Sequence, residues 1–157
     1  MKIVVTGNIG CGKSTVVQML SEALPTFQVF DFDKVVHEFY NDPTIAQHLK
    51  DAFGSSDRAV ISDIVHADPA QMTRLESIIN TPILWATLNA FSQTQIILDI
   101  PLFFERLSTF PEFLPDVVIC VACQPDLQVR RIQSRSGFSV EKIKSILEKQ
   151  LSQAEKS

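Results

Sequence analysis

Residues 2–24 run Lys2-Ile3-Val4-Val5-Thr6-Gly7-Asn8-Ile9-Gly10-Cys11-Gly12-Lys13-Ser14-Thr15-Val16-Val17-Gln18-Met19-Leu20-Ser21-Glu22-Ala23-Leu24. The opening β-branched run closed by a glycine reads as a short buried strand. Val16, Val17, Leu20, Ala23 and Leu24 then recur at helical spacing until Pro25 stops the helix. Between strand and helix, Gly7 to Ser14 satisfies G-x-x-x-x-G-K-[ST] in full, in the structural context that motif requires. Its chemistry follows from residue type. Glycines let successive backbone N–H groups turn inward toward an anion, and the helix beginning near Lys13 adds its positive end. Gly7, Asn8, Ile9, Gly10, Cys11, Gly12 and Thr15 are therefore expected to line a triphosphate. Lys13 is expected on its β- and γ-phosphates, and the Ser14 hydroxyl on Mg²⁺.

Outward from this loop, Gln28 to Asp31 reads as a second strand. Asp42-Pro43, Asp68-Pro69 and Thr81-Pro82 each read as an N-cap followed by proline at the first helical position, and Ser56-Asp57 as a fourth start. Gly54 closes the helix begun at Pro43. Residues 34–92 thus read as consecutive short helices. Two apolar runs follow, residues 95–100 and 116–122, of the kind found in strands covered on both faces. A helix from Asp126 to Ser134 and one capped by Ser139 complete the chain. The order predicts an α/β doubly wound parallel sheet with a helical excursion.

The 157 residues suit one domain. A hydrophobic fraction of 45% with 20% charged residues argues against a disordered or fibrous chain. A net charge of −4 argues against a wholesale cationic nucleic-acid binder. No apolar run approaches the roughly 20 residues of a membrane span, and no signal peptide precedes Gly7. Three cysteines are too few for a disulfide framework and suit a reducing, cytoplasmic compartment. Cys120 and Cys123, read as strand residues three apart, face opposite ways, which argues against a redox pair or half a zinc site.

The loop does not say what is done with the nucleotide. An N-K-x-D base-reading motif and a hydrolytic pair of acids are both missing, so phosphoryl transfer to a small acceptor leads. Asp31 and Asp33 end the second strand, where alternation puts both on the same side, at the edge where ligands bind in such sheets. Either one takes the proton of an attacking hydroxyl or holds Mg²⁺ through water, or it caps the next helix. Arg131 and Arg135 are four apart on one helical face. They clamp phosphate oxygens or form a solvated basic face. Asp99, ending the third strand, either supports Mg²⁺ through water or caps the next loop.

Taken together, these motifs resemble the dephospho-CoA kinase family. Thr6 to Thr15 resembles its T-G-G-I-G-S-G-K-S-T, and Asp31-Phe32-Asp33-Lys34-Val35-Val36-His37 its D-A-D-x-I-x-H/R. Leu98 to Glu105 resembles its P-L-L-F-E segment, Gln128 to Arg135 its lid helix, and Gln150 its glutamine before the final segment. The resemblance implies a P-loop NTPase-type sheet of order 2-3-1-4 flanked by helices. It implies a single domain: a nucleotide core (1–33 and 93–123), a helical acceptor-binding insert (34–92), and a lid with C-terminal helices (124–157). It also implies ATP as donor with Mg²⁺, and the ribose 3′-hydroxyl of dephospho-CoA as acceptor. Lys13, Asp33 and Arg131 would be catalytic. Arg131 and Arg135 would meet ATP, and Asp31, His37, Pro101 and Leu102 would join Asp33 on the acceptor side. The competing readings are a catalytically impaired nucleotide-binding module and a kinase for another small hydroxyl.

The chain departs from the family pattern in several places. Asn8 and Cys11 replace Gly and Ser. Asn80-Thr81-Pro82 stands where His-Pro is usual, and the segment around Gly54 to Asp57 is short. The family's fifth strand, of the A-D-x-V-I-x-N type, is not found before Ser157. The chain is accordingly expected to be a truncated form, or to cover the fourth-strand edge with its own helix or a partner. As a molecule it is expected to be a monomer or to self-associate weakly through that edge, which is an association hazard when unpaired.

Overall fold

The computed structural model describes residues 1–92, 94–105, 114–152 and 155–156; at 66, 69, 81–85, 88 and 91 it describes the backbone only. Four strands form one parallel sheet: β1 (Lys2–Thr6), β2 (Gln28–Asp31), β3 (Ile96–Asp99) and β4 (Val117–Cys120). The spatial order is β2-β3-β1-β4, as the resemblance implies. β1 and β3 are central because Ile3, Val4, Val5, Ile96, Ile97 and Leu98 are apolar on both faces and nearly all solvent-free. Helix α1 (Lys13–Ala23) covers one face. Ile3, Val5, Val17 and Ile97 form a buried cluster there, with Val16, Leu20, Leu24 and Phe27 packed around it. Val16, Val17, Leu20 and Leu24, among the apolar positions that predicted the helix, are thus packed here, while Ala23 is exposed.

The chain divides into two compact units: Met1–Asp31 with Phe91–Ser157, and Phe32–Ala90. The second is helical, built of α2 (Phe32–Phe39), α3 (Pro43–Phe53), α4 (Arg58–Ala67) and α5 (Pro69–Phe91). Asp42 caps α3 by accepting from the N–H groups of Thr44 and Ile45, and Gly54 closes it in the left-handed conformation. Asp57 caps α4 through Ala59 and Val60. In the first unit, α6 (Pro125–Ser136) and α7 (Val140–Glu148) follow β4. Ser139 caps α7 by accepting from Lys142 N–H. No described helix is long and apolar enough to cross a membrane.

Three expectations need correction. The helix start at Thr81-Pro82 is absent, because α5 runs unbroken from Pro69 to Phe91. A proline removes one helical donor, and a long helix tolerates that loss when its other bonds are intact. The Thr81 side chain lies outside the described residues. Second, Asp31 and Asp33 are not related by strand alternation: β2 ends at Asp31 and α2 begins at Phe32, whose ring is buried, with Asp33 in the first helical turn. Third, the apolar run at residues 116–122 is not covered on both sides. β4 pairs with β1 alone among the described strands, and Val117 and Val118 are 41% and 37% exposed. The strand stops at Cys120, so Cys123 lies beyond it in a loop.

Asp57→Ala should lower stability by about 1 kcal/mol, since both capping bonds of α4 are lost, whereas Asp57→Asn should retain most of it. Thermal melts followed by circular dichroism check this. Equal losses in the two variants would show that the cap is not what the carboxylate contributes.

Candidate active site

The loop between β1 and α1 is shaped by contacts that leave no room for side chains. Gly7 has φ of 139°, and a Cβ placed there would lie 2.3 Å from the Val121 carbonyl oxygen. At Gly10, φ of 77°, a Cβ would meet Ile132 Cγ1 at 2.7 Å. The loop therefore presses against the residues following β4 on one side and against α6 on the other. Gly12, as the N-cap of α1, brings no side chain to occupy the first N–H groups of the helix.

Two cations converge on the loop. Lys13 Nζ donates to the carbonyls of Gly7 at 2.9 Å and Asn8 at 3.4 Å. Arg131, on α6, donates from Nη1 to the Cys11 carbonyl at 3.3 Å. An entering polyphosphate offers both groups stronger, charge-assisted acceptors. Ser14 and Thr15 are exposed at the start of α1. Burial pushes the Cys11 thiol pKa up and the Lys13 charge offsets this only in part, so Cys11 stays protonated and inert at neutral pH. Arg135 is one helical turn beyond Arg131 and exposed.

Asp99 and Asp31 close their strands in register with each other, and Asp99 with Val5. Residues paired in this way share a sheet face, so both carboxylates stand at the C-terminal edge on the side packed by α1. After β3 comes a tight turn, Pro101 to Phe103, in which Leu102 has φ of 57°, an unusual value for a residue with a side chain. Phe103 N–H donates to Thr6 Oγ1 at 3.3 Å, fixing this turn to the end of β1. Asp33 and His37 lie on α2 in the helical unit, and both are exposed.

Several polar residues holding the loop were not singled out by spacing. Gln128 is 3% exposed and donates from Nε2 to the Ile9 carbonyl at 2.7 Å. Its signal was present: a glutamine three residues before Arg131 and four before the buried Ile132, hence on the loop-facing side of α6. Gln150 Oε1 accepts from Ile9 N–H at 3.2 Å. Lys156 is buried, donates to Asn8 Oδ1 at 2.5 Å and pairs with Glu105 at 2.8 Å. Burial disfavours the charged Glu105, but hydrogen bonds from Lys156 and the Leu151 N–H outweigh it and hold the carboxyl below the usual range.

Mg²⁺ commonly takes one or two protein ligands, water and substrate phosphates. The Ser14 hydroxyl and the Asp99 carboxylate fit that pattern. Among the described residues no group of three His, Cys, Asp or Glu side chains makes a self-sufficient cage.

A family model described as dephospho-CoA kinase matches residues 1–157. A dephospho-CoA kinase of Rhodopseudomonas palustris is 36% identical over 164 residues, covering 96% of this chain and 79% of that protein. A Thermus thermophilus crystal structure, TT1252, superposes with a TM-score of 0.82 at 28% identity, over 99% of this chain and 83% of the other. A dephospho-CoA kinase from Campylobacter jejuni shares the fold, with a TM-score of 0.60 at 24% identity over 94% and 80% of the two chains.

Gly7→Ala should be among the most damaging single changes in the chain. The added carbon meets backbone rather than a yielding side chain, so a loss of about 3 kcal/mol or more is expected. Chemical denaturation measures it. A variant within 1 kcal/mol of the parent, about the typical cost of any substitution, would mean the loop can leave the sheet by another path.

Proposed function

The chain belongs to the dephospho-CoA kinase family, and on that premise we propose how its own residues divide the work. The reaction is ATP-dependent phosphorylation of dephospho-CoA in coenzyme A biosynthesis. The acceptor atom is the ribose 3′-hydroxyl, and the products are coenzyme A and ADP. The observation that carries this reading is the convergence of Lys13 and Arg131 on the loop's own carbonyl oxygens. Two cations are stored at the place where a triphosphate would neutralise them.

In this reading the loop from Gly7 to Thr15 cradles the phosphates, with Lys13 on the β- and γ-oxygens. Arg131, joined by Arg135, neutralises charge as the γ-phosphoryl moves in line toward the acceptor. Asp33 receives the proton of the acceptor hydroxyl, and Asp31, His37, Pro101 and Leu102 hold the acceptor. Mg²⁺, held by Ser14 and through water by Asp99, supplies charge neutralisation at the phosphates. The division into a nucleotide core, a helical acceptor-binding insert and a helical lid is part of the same proposal. So are a cytoplasmic location, small-molecule partners without nucleic acid or membrane, and a monomer that self-associates weakly at most through β4.

A coupled ADP-release assay tests the acceptor. Dephospho-CoA should support turnover where adenosine, shikimate and nucleoside monophosphates do not, and Lys13→Ala should reduce it by more than about 10²-fold. Turnover only with another acceptor would move the enzyme to a different specificity, and ATP binding with no transfer would leave a binding module. Asp33→Asn should lower kcat far more than ATP affinity; a loss confined to affinity would make Asp33 a metal-supporting group instead.

A further inference from the structure

The segment after α7 reaches back to the loop through several bonds. Gln150 Oε1 accepts from Ile9 N–H, and the Leu151 carbonyl accepts from Asn8 Nδ2 at 3.2 Å. The Leu151 N–H donates to Glu105 Oε1 at 3.0 Å, and Lys156 Nζ lies between Asn8 Oδ1 and that same carboxylate oxygen. Every polar atom of the Asn8 amide group is thereby engaged by this segment. The Lys156 ammonium is wholly removed from solvent, while the Glu105 side chain is 18% exposed.

Such an arrangement is a costly way to gain stability. A buried ion pair roughly breaks even against apolar residues of the same volume. It does fix geometry, because neither charge can move without leaving the other uncompensated. The geometry fixed here is that of Asn8 and Ile9, the outer turn of the phosphate loop, relative to Glu105 in the segment after β3.

We infer that Lys156 is a positioning residue of the nucleotide site: acting through Asn8 and Glu105, it holds the Asn8–Ile9 turn of the loop in the shape that receives ATP. This deepens the proposed function and rests on it for the identity of the ligand. Lys156 itself need not touch the nucleotide. Its effect passes through the Asn8 amide on one side and the Glu105 carboxylate on the other.

The test has two readouts on the full chain. Amide hydrogen exchange at Ile9 reports the loop without nucleotide, and calorimetry with ATP and Mg²⁺ reports binding. Lys156→Met should speed exchange at Ile9 and weaken ATP binding, each by about tenfold. If that variant fails to fold because Glu105 loses its cationic partner, Glu105→Gln with Lys156→Met removes both charges and should show the same two changes. Ile143→Val in α7 serves as a control for stability loss alone, and should leave both readings within about twofold. Unchanged exchange at Ile9 overturns the inference. So does faster exchange with unaltered ATP affinity, or an equal effect in the control. A parent chain that binds no ATP would count against the proposed function, while the exchange readout would still decide whether Lys156 holds the loop.

Discussion

The close approach of Gly7 to the Val121 carbonyl is the constraint on which the rest of the site depends. It lies where β1 hands the chain to the loop, and the backbone there passes so near the end of β4 that a single carbon would overlap it. The Val121 N–H in turn donates to the Thr6 carbonyl at 2.8 Å, while the Thr6 hydroxyl accepts from Phe103. The end of β1 is thereby clamped to the segments that follow β3 and β4. Loop, turn and α6 all take their positions from this junction, which explains why the residues flanking it come from three distant parts of the sequence.

Electrostatics then completes what the backbone begins. The start of α1 behind the loop carries the positive end of the helix, and two further cations lie on the loop's carbonyls. The carbonyls of Gly7, Asn8 and Cys11 satisfy Lys13 and Arg131. In the proposed reading phosphate oxygens would replace these neutral acceptors with charged ones, and such bonds are roughly twice as strong. Preorganisation of this kind matters most for transferring charge, because little reorganisation is left for the moment of reaction. The chain's net charge of −4 does not oppose this, since fields at the distance of direct contact outweigh those screened over about 10 Å.

Much of this was legible in order along the chain. The strand, the glycine-rich turn and the helix carry periodicities that belong to no other element, and the caps at Asp42, Asp57 and Ser139 each declare themselves by residue type. Pro82 misled because a proline signals a helix start only statistically, and the surrounding helix can absorb one missing donor. The two carboxylates at Asp31 and Asp33 were related by the wrong periodicity because the strand-to-helix change falls between them, at a phenylalanine that suits either element. The exposure of β4 was hidden because an apolar run reports what a strand can bury, not which neighbours it has.

Lys156 was hidden for a different reason. Its contact with Asn8 spans more than a hundred residues, and no local period encodes that. A lysine near an exposed glutamate reads as an ordinary solvated charge until its surroundings are known. Once Lys156 is seen to be solvent-free beside Asn8, the reading reverses. Desolvating an ammonium costs several kcal/mol even after relaxation, so a chain that merely needed a stable segment there would do better with an apolar side chain. The charge is better explained by what an apolar side chain could not do, which is to hold an asparagine amide in one orientation. Asn8 stands where the family usually has glycine, a residue offering no side chain to hold. In this chain the loop thus has a handle at that position, and the segment after α7 supplies the group that grips it.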